Sequence, residues 1–268
     1  MKKNIQAAVL EKLNKPLVLK EINCQSLKAG QVLVKIHFSG LCGSQVMEIN
    51  GGRGKDRWLP HCLGHEGSGE VIAFGKGVTK FKIGDKVILT WLECKGKNAS
   101  NAQYKTDNII INSGKVTTFS NYSVVSENRI IKKPPILNMR EAVLFGCAIP
   151  TGFGMVINEI KPKKNMNILI IGLGGIGISS LLALKCLNHK KVILADIFQS
   201  KLNLAKKLGF KNCINLKKVN IAEYIYSNCD GGIDICIESA GLTKTIELGF
   251  SLINNNGGKL FFASHPNN

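Results

Sequence analysis

Acidic side chains are scarce in this 268-residue chain, with 18 Asp and Glu against 36 Lys and Arg, and the formal net charge is +18. Such an excess of positive charge can mark a nucleic-acid binder. The chain lacks the rest of that pattern, because its lysines are spread over the whole length with no basic block and no Arg/aromatic stripe. The expectation is therefore no nucleic-acid partner, and a positive field that favours small anionic ligands. A secretory leader is also missing, since Glu11 and Lys12 cut short the apolar part of MKKNIQAAVL. The nine cysteines form an odd set with no framework spacing, and several lie inside apolar runs. That excludes a disulfide scaffold and points to free thiols in a reducing cytoplasm. Internal repeats are absent as well. The length suits two domains of ordinary size or one large one.

The most informative stretch is Asn167 to Asp196. Ile168 to Ile171 has the β-branched bias of a buried strand. The turn Gly172-Leu173-Gly174-Gly175-Ile176-Gly177 follows, then an apolar-periodic helix to about Leu187, then a second strand from Val192 that ends on Asp196. Together these make a βαβ unit of about thirty residues carrying a dinucleotide fingerprint. Gly172 permits the tight turn, Gly174 leaves room for a pyrophosphate, and Gly177 lets helix and strand approach closely. The helix N-terminus offers free N–H groups to phosphate. Asp196 stands where a carboxylate accepts from ribose hydroxyls and repels a 2′-phosphate, so the cofactor expected is NAD. A membrane helix over Ile168 to Leu184 would reach the lower length limit of about 17 residues. The glycine turn and second strand exclude it, and no membrane partner is expected.

Ahead of this unit the chain reads as short strands (Ala7–Leu10, Leu17–Ile22, Val32–His37) separated by turn signals. Phe74 to Val78 and Phe81 to Val87 read as strands joined by glycine turns, and residues 93 to 115 as a polar excursion loop. Thr118 to Val125 resumes strand character. A helix from about Met139 carries Cys147 and continues, past a break at Pro150, towards Ile157. Strands are expected after the fingerprint at 213–215, 233–238 and 259–263.

Five motifs then fall in one order and spacing: GLCGS at 40–44, GHEGSG at 64–69, FGKGVTKFKIGDKV at 74–87, CAIPTGFG at 147–154 and GLGGIG at 172–177. In this the whole chain resembles the zinc-containing medium-chain alcohol dehydrogenases. The resemblance implies an α/β protein, with an N-terminal GroES-like, β-rich catalytic domain (1–150) followed by a Rossmann doubly wound parallel sheet (151–268). Cys42, His65 and Cys147 would hold one catalytic Zn²⁺ at the mouth between the domains, with Glu66 beside the metal or exchanging onto it. Taken singly, each of these residues reads equally well as a buried small hydrophobe or a satisfied core histidine. The metal would lower the pKa of a small alcohol or polyol, and hydride would pass to NAD. Ser44 matches a hydroxyl that relays the alcohol proton, or else caps the helix that starts there. Thr151 matches a position near the nicotinamide. Lys201 matches an adenosine-ribose contact, or is a solvated helix lysine. His37, His61, Cys62, His189 and His265 fit ordinary structural roles.

The chain departs from that family in three places. Gln45 stands where an Asp is usual, and Met47 where some members place a histidine that passes the proton to solvent. Within 93–115 only Cys94 remains of a four-cysteine structural zinc lobe, so no closed site is expected there. The third departure is the end of the chain, just past a fifth strand where the family fold has six. The expectation is a C-terminally truncated member, whose strand 259–263 forms an exposed apolar edge prone to irregular association where relatives oligomerise. A catalytically inactive remnant that binds NAD or zinc is the alternative reading of this ending.

Overall fold

The computed structural model describes residues 4–106, 109–263 and 266. The chain forms two compact units, Met1–Cys147 and Ala148–Asn268.

In the first unit the strands are β1 (Asn4–Leu10), β2 (Val18–Cys24) and β3 (Gln31–Ser39), followed by helix α1 (Gly43–Ile49). Then come β4 (His61–Cys62), β5 (Gly67–Phe74), β6 (Lys86–Leu89), β7 (Gln103–Thr106), β8 (Ile109–Ser113), β9 (Tyr122–Ser126), β10 (Ile130–Lys132) and the short helix α2 (Met139–Ala142). They assemble as a closed barrel in the order β1-β2-β7-β8-β4 and a five-stranded sheet in the order β10-β6-β5-β3-β9. β3 shows why the two stay together. Its Leu33 packs into one apolar cluster with Ile5, Ile22 and Tyr104, while Val32 and Val34 face another with Val71, Val87 and Leu89. Alternate side chains of a strand point to opposite faces, so one segment serves two cores.

Two sequence expectations need correction here. Residues 75–85 are turns and loop, since β5 ends at Phe74 and β6 begins only at Lys86. Residues 93–115 contain the hairpin β7–β8, in which Tyr104 pairs directly with Ile111 and both are buried. Only one side chain per strand, Tyr104 and Ile111, is buried, while Ile109 and Ile110 of β8 are exposed. The loop ahead of it is held by one carboxylate. Glu127 accepts from the backbone N–H groups of Thr79, Lys80 and Lys97 at 2.7–2.9 Å.

The second unit opens with α3 (Ala148–Gly154) and a wider π-type turn over Met155–Ile160. The helix break lies at Cys147 (φ −145, ψ −77) and not at Pro150. Pro150 sits in the first turn of α3, where a missing N–H costs no intrahelical bond. Then β11 (Ile168–Ile171), α4 (Gly175–Cys186), β12 (Val192–Asp196), α5 (Gln199–Lys207), β13 (Cys213–Asn215), α6 (Ile221–Asn228), β14 (Ile235–Glu238), α7 (Thr243–Leu252) and β15 (Lys259–Phe262) alternate. All five strands are parallel, in the order β13-β12-β11-β14-β15. Numbered within the unit this is 3-2-1-4-5, the doubly wound order that reverses beside the first strand. Ile168 and Ile170 pack with α4 and α5 on one face, and Leu169 and Ile171 pack with α6 and α7 on the other. Burial on both faces explains the unbroken apolar runs in sequence. Among the described residues no single helix is long and apolar enough to cross a membrane.

Candidate functional site

In the first unit three segments converge. β3 leads into the turn before α1, where Cys42 occupies the N-cap position without a side-chain cap bond. Ser44 is therefore not the cap; its hydroxyl and N–H both bond to the Cys42 sulfur. His65 and Glu66 precede β5, and Cys147 follows α2 after a short 3₁₀ turn. The backbone ties these segments together, for Glu66 O accepts from Gly40 N (3.1 Å) and from Thr118 Oγ1 (3.0 Å). Two glycines make the approach possible. A Cβ on Gly40 would lie 2.6 Å from the Glu66 carboxylate, and one on Gly146 would lie 2.7 Å from Glu66 Cβ.

The ligand atoms of Cys42, His65 and Cys147 all lie within 4.8 Å of one another, and His65 Nε2 is 3.2 Å from Cys147 Sγ. Glu66, buried and wedged between Gly40 and Gly146, does not join that triad. Its charge acts on Cys147, raising that thiol. The two thiols share a proton unevenly. Hydrogen bonds from Cys147, His65 and Ser44 pull the Cys42 thiol down to about 3 against its partial burial. The Cys147 thiol moves up, because it donates to Cys42, is buried, and faces the charges of Cys42 and Glu66. The Cys42 sulfur is thus biased toward the thiolate, with an imidazole and a second sulfur beside it. Two sulfurs and one imidazole nitrogen are the donor set of a catalytic Zn²⁺ site, with bonds of about 2.0–2.3 Å and a fourth position left for water or substrate. The residues fit that ion.

Other histidines and cysteines play the structural parts expected of them. His37 lies 3.9 Å from Glu70, and His189 bonds to Met166 O. Burial pushes the Cys62 thiol up to about 12, which keeps it protonated and inert. His265 lies outside the described residues. His61 is better connected than the sequence suggests, bonding to Asp56 Oδ2 at 2.7 Å with Glu48 Oε1 at 3.9 Å. The Trp91 side chain, which also bonds to Cys147, carries no sequence signal.

In the second unit Gly172 takes φ +88, and a Cβ on it would lie 2.7 Å from Ala240 N. A Cβ on Gly177 would stand 2.0 Å from Gly172 O, so only glycine lets α4 pack against the end of β11. Gly174, the N-cap of α4, differs: a Cβ there would meet nothing within 4 Å. The space in front of this helix N-terminus is open to a phosphate. Leu173 is buried, Gly175 exposed and Ile176 half-buried. The Asp196 carboxylate closes the loop by accepting from Leu173 N (2.7 Å) and Phe198 N (2.8 Å). Lys201 Nζ lies 3.5 Å from Asp196 Oδ2 and 5.0 Å from the centre of the Phe198 ring, so it is no freely solvated lysine. Thr151 is half-buried on α3.

Comparison with known proteins agrees with both units. Residues 28–135 match the family profile described as alcohol dehydrogenase GroES-like domain, and residues 175–267 match zinc-binding dehydrogenase. Among solved structures, the chain is similar to an alcohol dehydrogenase zinc-binding domain protein from Burkholderia ambifaria. That match has 25% identity and a TM-score of 0.88, over 100% of this chain and 78% of that one. It is also similar to benzyl alcohol dehydrogenase from Acinetobacter calcoaceticus, at 29% identity and a TM-score of 0.86, over 99% and 78%. The alcohol dehydrogenase of the archaeon Aeropyrum pernix shares the fold at 22% identity and a TM-score of 0.82, over 98% and 79%.

Proposed function

Because the chain belongs to the zinc-containing alcohol dehydrogenase family, we propose that it is an NAD-dependent dehydrogenase that oxidises a small alcohol or polyol. The observation that carries the reading is the approach of Cys42, His65 and Cys147 to within 4.8 Å of one another. When bound, zinc supplies Lewis acidity toward the substrate hydroxyl, and the nicotinamide supplies the hydride acceptor. Everything else falls to the chain's own groups. Cys42 and Cys147 contribute sulfur, and His65 contributes its Nε2. Glu66 adds negative charge close to the cation. Ser44 Oγ, beside Cys42, would relay the substrate's proton, accepting it while passing its own hydroxyl proton on toward solvent. The Gly172–Gly177 turn and the N-terminus of α4 receive the pyrophosphate, while Asp196 and Lys201 hold the adenosine ribose. Thr151 is assigned to the nicotinamide end.

The test is direct. Purified protein loaded with zinc is screened against primary alcohols, aromatic alcohols and polyols, following the absorbance of reduced nicotinamide. Turnover with NAD⁺ that disappears on chelation and in Cys147→Ala supports the reading. Turnover that survives both would sink it.

A further inference from the structure

Gln45 stands where the family resemblance calls for a carboxylate, and its surroundings account for the exchange. The side chain is buried at 6% exposure. Its Oε1 accepts the backbone N–H of Gly64, immediately before His65. Its Nε2 donates to Glu48 Oε2 at 3.3 Å. A carboxylate at this position would accept from Gly64 but would also face the carboxylate of Glu48. Only a neutral amide serves both neighbours.

Glu48 is itself held in place. Arg53 Nη1 lies 3.7 Å from Oε2, and His61 Nε2 lies 3.9 Å from Oε1. His61 donates to Asp56 Oδ2 at 2.7 Å, and its Nδ1 is 3.2 Å from Cys62 O. Both ring nitrogens of His61 thus have polar partners. Glu48, Asp56 and His61 also bring their ligand atoms within 4.8 Å of one another. They are here a hydrogen-bond network in which the carboxylates of Glu48 and Asp56 meet the His61 ring and the Arg53 guanidinium. On its other flank the loop is bonded through Leu63 O, which accepts from Thr118 N and Phe119 N at 3.0 and 3.1 Å.

We propose that Gln45 is a positioning residue for His65. Its amide pins the peptide ahead of His65 to the helix that starts at Cys42, and Glu48, His61, Arg53 and Asp56 keep that amide in one orientation. The inference rests on the reading of Cys42, His65 and Cys147 as a metal site. Groups that orient a metal ligand typically cost 10–100-fold in metal affinity when removed.

Two measurements on the full chain test it: amide hydrogen exchange across residues 63–66 in metal-free protein, and Co²⁺ titration followed by its visible spectrum. Gln45→Leu is expected to speed exchange at Gly64 and weaken Co²⁺ about 10–100-fold with an altered spectrum. Gln45→Glu, which keeps the acceptor, should retain the Gly64 protection. Glu48→Ala, at a half-buried position that folding tolerates better, should give a smaller loss in the same direction. Unchanged exchange and unchanged Co²⁺ affinity in Gln45→Leu, or in Glu48→Ala should the former not fold, overturn the proposal. So does a lowered melting temperature with normal cobalt binding, which marks a merely structural role. A second Co²⁺ site abolished by Glu48→Ala would instead make the network a metal site and overturn the assignment. If the unmodified protein takes up no Co²⁺ at all, the dehydrogenase reading falls, while the exchange measurement still decides whether Gln45 pins the loop.

Discussion

Lys201 sets its ammonium 3.5 Å from the carboxylate of Asp196. On the proposed dinucleotide reading, the pair would set which cofactor the second unit prefers, because Asp196 would repel a 2′-phosphate and Lys201 would partly cancel that repulsion. Asp196→Ala is expected to weaken NADH about 10-fold or more, the loss of one or two hydrogen bonds to a charged group. It should also narrow the gap between NADH and NADPH. Lys201→Ala should widen that gap, by a few-fold only, since the lysine is partly exposed and screened. Fluorescence titration with both cofactors reads the two effects. Tighter binding of NADPH by the unmodified protein would show that Asp196 does not choose the cofactor.

Two neighbouring glycines should respond in opposite ways. Gly177→Ala puts a Cβ 2.0 Å from Gly172 O and is expected to destabilise the second unit by several kcal/mol. Gly174→Ala adds a methyl where nothing lies within 4 Å and the backbone is already extended (φ −79). Its melting temperature should stay near that of the unmodified protein while NADH affinity falls, because the methyl takes space a pyrophosphate needs. Normal NADH binding in Gly174→Ala would remove the phosphate from this helix N-terminus.

Metal content separates the triad from the acidic network. Elemental analysis should give one zinc per chain, and Cys42→Ala, His65→Ala and Cys147→Ala should each lower it. With zinc in excess, Asp56→Ala should leave the stoichiometry at one, since the ligand atoms of Asp56 belong to a separate group and its place in the Gln45 network bears only on affinity. Two zincs per chain, or a loss in Asp56→Ala, would contradict this division.

Glu127 gives the first unit a pH dependence of known sign. Burial alone would raise its carboxyl, but the backbone N–H groups of Lys97, Lys80 and Thr79 hold it below the usual range. A depressed folded pKa stabilises the fold above the unfolded value of about 4.3, and that contribution is lost as pH falls through the folded value. Glu127→Gln should therefore cost about 1.5–3 kcal/mol near neutral pH. The difference should shrink in urea melts taken towards about pH 3. A constant difference across that window would mean that the charge is not what the three N–H groups recognise.

Ile168 to Asp196 was legible from the sequence because its signals are local: a buried strand, a glycine turn, an apolar helix and a second buried strand all fall within one βαβ unit. The motif residues Cys42, His65 and Cys147 were legible as candidates because the short motifs that carry them resemble those of the zinc-containing alcohol dehydrogenases and because Cys and His are zinc-binding side chains. Their meeting was not legible, as it depends on β3, β5 and the segment after α2 lying side by side. The hairpin β7–β8 escaped a sequence reading because Tyr104 stands among polar neighbours and the Ile109–Ile111 run is short and lies in a polar stretch, and only the pairing across strands reveals Tyr104 and Ile111 as one core position. The helix break at Cys147 escaped it too, because proline dominates a local reading and costs nothing in a first helical turn. The motifs, through the family they resemble, determined which chemistry is proposed for this chain. The tertiary structure decided which groups share it, such as Gln45 with Gly64 and Asp196 with Leu173, because a hydrogen bond between residues distant in sequence exists only once packing has brought donor and acceptor together.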